Sequence, residues 1–230
     1  MATQRISFFK FIPKNSFELD SMVSFLLSES NDTSRFIFNE QGCNYVSGCY
    51  LVQQTRNEVS YNITENRFET VVTSRLAVVK FDIDLLKSVL TVWGNRSIAQ
   101  RLVTLISQAS KNQIIIEDYV VDFPKMVSRI SDMDMLILSK MKLENVMIDS
   151  GISASCNVSL VNIEGANSLV KKYCDNISQL SIILGDRLSD SSVSLTFFSS
   201  GSIVVYKDRD NIPEEILTQI QEIAMGRGDL

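Results

Sequence analysis

Two carboxylates separated by a single residue, Asp82 and Asp84, are the first candidates for chemistry in this chain. Side chains two apart in an extended segment share a face, so both carboxylates would point to one side. Glu117, which follows the apolar run 114–116, could supply a third oxygen. Carboxylate oxygens bind Mg²⁺, and the bound ion can activate water. These residues define one hypothesis, a Mg²⁺-dependent nuclease or hydrolase. The alternative is a strand end that turns into solvent.

The absence of histidine removes several classes of enzyme. Of the 230 residues none is histidine, and no Cys-x-x-Cys pair occurs among the four cysteines. A Ser-His-Asp triad, a Cys–His nucleophile and a His-ligated metal are therefore excluded. No Gly-rich phosphate-binding loop of a standard type is present either. The sequence predicts no bound cofactor and favours a non-catalytic protein.

The charge of the chain is divided unevenly. Residues 1–115 hold 12 basic and 10 acidic residues, a net +2, whereas residues 116–230 hold 10 and 17, a net −7. Phosphate neutralisation dominates nucleic-acid affinity, so the acidic second part argues against a generic nucleic-acid coat. No apolar run approaches the roughly 18 residues of a membrane span. No signal-peptide pattern opens the chain. A cytoplasmic location without membrane contact is the expectation.

A local basic surface is the second hypothesis for function. Basic residues of the first part lie among predicted strands that also carry Phe68, Phe81 and Trp93. Basic and aromatic side chains interleaved on a sheet can hold single-stranded nucleic acid by charge and stacking. The alternative is that such aromatic residues belong to the core. The candidate nucleic-acid contacts from this pattern are Arg75, Lys80, Arg96 and Arg101.

Hydrophobic periodicity predicts strands alternating with helices. Strands are expected at residues 6–12, 35–38, 45–52, 59–64, 68–82, 89–93, 114–116, 146–148, 152–161, 180–184, 193–198 and 203–206. Helices are expected at residues 15–28, 97–110, from 122, 166–177 and from 212. Strands 45–52 and 59–64 should pair around the polar segment 55–58. This order predicts an α+β fold, mainly antiparallel sheet with covering helices.

The segment Leu-Thr-Phe-Phe-Ser-Ser-Gly-Ser-Ile-Val-Val-Tyr, residues 195–206, resembles the hairpin of the TATA-binding protein repeat. The resemblance covers about fifteen residues and, by order of elements, extends over 150–225 and loosely over 5–110. It implies a saddle-like curved sheet with helices on its convex side. Phe198 matches a position that wedges between DNA bases in that family. Ser202 stands where the family has lysine, and the first half lacks the Phe-Ser-Ser-Gly signature.

Two similarly organised halves are therefore expected, residues 1–118 and 119–230, the second being acidic. The favoured function is a non-catalytic binding or assembly subunit that acts through protein–protein contacts, with another protein or a second copy as partner. Loops at 185–190 and 208–210 could recognise that partner at one rim of the sheet. Their alternative is a solvated salt-bridging turn. The residues assigned to this role are Arg187, Asp190 and Arg209.

Overall fold

The computed structural model describes residues 3–14, 16–130, 136–160, 163–185, 192–207, 212 and 214–225. It confirms an α+β fold with one large antiparallel sheet that does not close on itself. The strands are β1 Gln4–Pro13, β2 Ser34–Gln41, β3 Tyr45–Asn62, β4 Arg67–Asp84, β5 Val89–Trp93, β6 Ile114–Asp118, β7 Leu136–Asp149, β8 Ile152–Ser159, β9 Ile177–Leu184, β10 Val193–Phe198 and β11 Ser202–Val205. The helices are α1 Leu19–Ser28, α2 Arg96–Ala109, α3 Phe123–Ile130, α4 Ile163–Lys172 and α5 Glu214–Met225.

The sheet is organised around β1. Its strand order is β2-β3-β4-β5-β1-β11-β10-β9-β7-β8, and β6 also pairs with β1. On one edge, β5 pairs with residues 6–10 of β1. On the other edge, β11 pairs with residues 4–7 and β6 with residues 9–13. The first strand of the chain therefore joins strands from both halves into a single sheet.

Two hydrophobic cores lie on opposite faces of this sheet. Phe9 and Phe11 of β1 pack into a core with α1 and α2. Ile6 and Phe8 point the other way and join a core that contains α3, α4 and α5. Because alternate residues of a strand face opposite sides, β1 contributes to both cores. The helices of the two halves consequently cover different faces of the sheet.

The pseudo-repeat and the saddle shape are not confirmed. From the centre outwards, the first half runs β1-β5-β4-β3-β2 and the second runs β11-β10-β9-β7-β8. The adjacent β7 and β8 form a hairpin at the outer end of the second half, and α4 returns the chain to β9. Helices on both faces differ from the one-sided cover that the TATA-binding-protein resemblance implies. The boundary at residue 118 stays a prediction, since the sheet crosses it.

The largest correction concerns the hairpin expected to turn at residues 55–58. Instead β3 runs unbroken through this segment and pairs with β4 in one continuous register, from Tyr45↔Asp84 to Asn62↔Arg67. The turn lies at residues 63–66, where the Asn62 side chain accepts hydrogen bonds from the backbone N–H groups of Thr64 and Glu65 at 3.1 and 3.2 Å. Asn66 adopts a left-handed φ of 53°. Asn62 and Asn66 supply both turn features, whereas Asn57 in the segment 55–58 pairs with Val72 as part of the continuous ladder.

The limits of two helices also differ from the prediction. Helix α1 begins at Leu19 rather than at residue 15, although it ends at Ser28 as expected. Helix α4 ends at Lys172, and β9 already starts at Ile177. The Asn176 amide donates to the carbonyl oxygens of Glu144 and Asn145, both at 3.0 Å, which ties this point of the chain to β7. No helix among the described residues is long and apolar enough to cross a membrane.

Candidate protein-binding surface

The outer part of the β3–β4 hairpin extends beyond the rest of the sheet. Strand β2 pairs with β3 no further out than Val52, and β5 pairs with β4 no further out than Lys80. Within the described chain, residues 53–62 of β3 and 67–76 of β4 therefore pair with no other strand, and only the Gln53 N–H reaches outside the hairpin, donating to the Thr33 carbonyl oxygen at 2.8 Å. We call these two segments and the turn 63–66 the arm. Ten rungs at about 3.4 Å make it about 34 Å long.

One face of the arm carries no charged side chain. Directly paired residues share a face, so the register assigns each side chain to a side. The uncharged face holds Gln53, Thr55, Asn57, Val59, Tyr61, Phe68, Thr70, Val72, Ser74 and Leu76. The opposite face holds Gln54, Arg56, Glu58, Ser60, Asn62, Arg67, Glu69, Val71, Thr73 and Arg75. Five of these latter ten are charged.

Large apolar side chains on the uncharged face are open to water. Val59 is 73% exposed, Phe68 74%, Val72 64% and Leu76 65%. The rings of Tyr61 and Phe68 meet edge to face with centroids 5.1 Å apart. Val78, two residues further along β4, lies on the same face and is 54% exposed. We call Val59, Tyr61, Phe68, Val72, Leu76 and Val78 the apolar strip. Exposed apolar surface of this kind makes the strip a candidate interaction site.

The two faces of the hairpin exchange roles where the arm begins. Closer to the body of the sheet, Val46, Tyr50, Val79 and Phe81 are buried beneath α1 and α2. Every second residue of a strand lies on the same face. The face that the helices cover therefore continues outwards as the charged face of the arm. The hydrophobic positions move to the other side. The arm is therefore patterned for burial against something other than its own helices.

The predicted carboxylate Asp82 is engaged by neighbouring aromatic residues. Its Oδ1 accepts a hydrogen bond from the Tyr45 hydroxyl and its Oδ2 accepts one from Trp93 Nε1, each at 3.3 Å. Burial first, and then the negative charge of Asp82, raise the pKa of Tyr45 to about 12. The Tyr45 phenol thus stays protonated and continues to donate to Asp82 over the physiological range.

The three predicted metal ligands are not brought together. Asp82 and Asp84 do share a face, as the spacing predicts. Glu117, however, is separated from Asp84 by two intervening strands. Asp84 pairs with Val89, Val89 with Lys10, and Lys10 with Glu117. Three inter-strand spacings correspond to about 14 Å. Asp84 Oδ1 instead accepts the backbone N–H of Lys87 at 3.0 Å. Across the residues that the structure describes, no group of three suitable side chains could hold a metal ion.

The basic candidates lie on different surfaces. Arg75 is on the charged face of the arm, 3.6 Å from Glu58. Lys80 is half-buried on the opposite face of β4, where it pairs with Trp93. Arg101 is exposed on α2. Because these side chains do not converge, the structure does not form the predicted basic and aromatic surface from them.

Arg96 links the two halves of the molecule. Its guanidinium donates to the carbonyl oxygen of Ser200 at 2.9 Å and to Asp118 at 2.8 Å. These contacts join the start of α2 to the β10–β11 turn and to the end of β6. Gly201 in this turn has φ +77°, and a Cβ there would lie 1.8 Å from the Tyr119 carbonyl oxygen. The predicted turn at 199–202 is thus confirmed, and Arg96 is one of the contacts that hold it.

Phe198 is half-buried, and a cation covers its ring. The Arg5 guanidinium carbon lies 5.8 Å from the ring centroid, a cation–π distance. Insertion between bases would require this contact to open. The predicted partner contacts Arg187, Asp190 and Arg209 lie outside the described residues.

No protein-family model matches the chain, and no curated protein is significantly similar to it in sequence. The geometry of the molecule is therefore the guide to its function. Sequence reasoning missed the arm although its alternating pattern is visible at residues 57–62 and 68–76. The signal is weak, however, because the consecutive residues Val71 and Val72 interrupt the alternation on one side of the turn.

Proposed function

We propose that the protein is a non-catalytic assembly subunit that binds a protein partner through the apolar strip of its arm. The observation that carries the proposal is the change of hydrophobic side at the start of the arm. In a strand that is buried on one face, the apolar residues occupy every second position. The apolar residues of the strip lie on the strand face opposite to the one that packs into the protein's own core. A bound partner supplies the missing cover.

The energetics of a two-stranded ribbon support the same conclusion. An isolated two-stranded hairpin is marginally stable in water, and packing against a further element is needed for independent stability. Beyond Gln53, both strand edges of the arm are unpaired in the part of the chain that the structure describes, and proteins normally shorten, cover or protect such edges with charge. Charges on one face of the arm keep that face in solvent, whereas the strip has none. Binding through the strip buries apolar surface without desolvating a charge.

The test compares two adjacent valines of β4. Val72 lies on the strip, whereas Val71 lies on the charged face and pairs with Glu58. Tagged wild-type, Val72→Lys and Val71→Lys chains are used as baits in a nuclease-treated extract of the native host, followed by mass spectrometry. We expect a stoichiometric protein that is retained by wild type and Val71→Lys and lost with Val72→Lys. Equal retention by all three baits, or binding that nuclease abolishes, would contradict the proposal.

A further inference from the structure

We infer that the strip binds a second copy of this chain, the two arms packing face to face about a two-fold axis next to Val72. This inference rests on the proposed function and specifies its partner. The arms would run in opposite directions, so that each tip lies over the base of the other arm. Packed sheets of this kind lie about 10 Å apart and keep their strands within about 30°.

The charge distribution favours a second copy. In a two-fold contact each surface meets an identical surface, so any charge near the axis meets a like charge. If the charged face formed the contact, Arg56, Arg75 and Glu58 would lie against the same residues of the other copy, or against residues next to them. The uncharged face has no such conflict over its ten paired residues. It is the face of the arm that can meet itself without repulsion.

The register of the strip is matched to this arrangement. The Asn57↔Val72 rung lies midway between the Leu51↔Val78 rung and the turn residue Ile63. Reversal about the middle rung places Leu76 of one copy over Tyr61 and Phe68 of the other. By the same reversal Leu51 lies over Ile63, which is 85% exposed, and Val78 lies over Asn66. Val72 meets Val72 at the centre, beside Asn57 and its copy. Val59 and Thr70 lie over Thr55 and Ser74, so apolar contact is concentrated at the axis and where Leu76 meets Phe68 on either side of it.

The area is sufficient for a reversible dimer. Twelve residues between Leu51 and Ile63 span about 41 Å, and a two-stranded ribbon is about 10 Å wide. The footprint is thus about 400 Å² for each copy, and interdigitating side chains bury more than the footprint. The two footprints total about 800 Å² before interdigitation, just below the roughly 1,000 Å² that separates specific interfaces from incidental contacts, so the dimer is a weak one. It is expected to dissociate on dilution.

Sedimentation velocity from about 1 to 100 µM tests the inference with the same valine pair. We expect wild type to shift from monomer to dimer across this range. Val72→Lys, which places two ammonium groups together at the axis, should raise the dissociation constant at least about 100-fold. Val71→Lys should change it by less than about 3-fold. Wild type that stays monomeric at the highest concentration would overturn the inference, as would a Val72→Lys dimer of unchanged strength.

Spin-label distances give a second measurement that does not depend on a disruptive substitution. Labels are placed on the solvent face of the arm, at Val71→Cys near the axis or at Arg67→Cys near the tip. The native cysteines are first replaced by serine, namely Cys43, Cys49, Cys156 and Cys174. The two-fold arrangement predicts a shorter distance between copies at position 71 than at position 67. The reverse order would show contact between tips and overturn the inference.

The two proposals fail separately. A monomeric wild type that still captures another protein through Val72, but not through Val71, would refute the self-association and leave the assembly-subunit function standing. If wild type is monomeric and its captured proteins are also retained by both variants, both proposals are refuted.

Discussion

The inner and outer halves of the β3–β4 hairpin share one register but differ in their surroundings. The inner half, residues 45–52 and 77–84, is flanked by β2 and β5 and covered by α1 and α2. The outer half, which is the arm, has no neighbouring strand on either edge among the described residues. The buried face of the inner half becomes the charged face of the arm. The difference shows that one continuous hairpin combines a part of the fold with an exposed apolar surface.

The largest expected contrast is in the free energy of unfolding that is lost when either of two phenylalanines of β4 is replaced by alanine. Phe81 of the inner half is fully buried, whereas Phe68 of the arm is 74% exposed. Phe81→Ala should lower the free energy of unfolding by about 3–5 kcal/mol because it leaves a cavity in the core. Phe68→Ala should cost less than about 1 kcal/mol in dilute solution, mostly through loss of the Tyr61 pair. Denaturant titration measures both. Similar costs would remove the distinction between the two halves.

Amide hydrogen exchange should divide the hairpin at the same place. The inner rungs are enclosed and should open only in global unfolding, whereas the arm can open locally. We expect the amides of 53–62 and 67–76 to be at least about 100-fold less protected than those of 46–52 and 77–83, at concentrations where the chain is monomeric. Uniform protection along β3 would show that the arm is part of the cooperative core.

A substitution of Asp82 tests the face of the inner half that α1 and α2 do not cover. Asp82→Ala leaves the Tyr45 hydroxyl and Trp93 Nε1 without this acceptor, which should cost about 1–2 kcal/mol of stability. Added Mg²⁺ should leave the unfolding midpoint of wild type unchanged, because Glu117 is about 14 Å from Asp84. A midpoint that rises with Mg²⁺ in wild type, and not in Asp82→Ala, would restore the metal-site hypothesis.

The raised pKa of Tyr45 predicts a smaller effect at high pH. The phenol keeps its proton to a pKa of about 12 in the folded chain, against about 10 when unfolded. The stabilisation is therefore complete below pH 10 and is lost as pH rises towards 12. The difference in absorbance at 295 nm between wild type and Tyr45→Phe should titrate near pH 12. A difference that titrates near pH 10 would contradict the half-buried Asp82–Tyr45 contact.

Much of the fold could be predicted because local patterns and tertiary packing agree. Strand β5 has the predicted limits, Val89–Trp93, and all of its residues are buried. Asp122 caps α3 as expected, its Oδ1 accepting the N–H of Lys125 at 3.0 Å. The β10–β11 hairpin turns where Ser-Gly predicts it. In each case the residues that favour the local structure are also those that pack.

The arm and the helix arrangement could not be predicted for physical reasons. A hairpin without Gly or Pro in its turn gives a weak local signal. The sequence therefore predicts the turn at the polar segment 55–58. Which face each helix covers depends on long-range pairing of β1 with β5 and β11, which periodicity does not encode. The long-range contacts of a basic residue are likewise not encoded locally: the structure places Arg96 in a link between the two halves, hydrogen-bonded to Ser200 and Asp118.

Shortening the arm tests the central claim most directly. Residues 54–75 are replaced by Asn-Gly, which closes Gln53 and Leu76 in a two-residue hairpin turn and leaves the inner half intact. The mass of this variant in solution is then measured by sedimentation at 100 µM, with circular dichroism to confirm folding. We predict a folded monomer under conditions in which wild type is a dimer. A folded dimer would show that the arm is not the interface, and an unfolded chain would show that the arm belongs to the core.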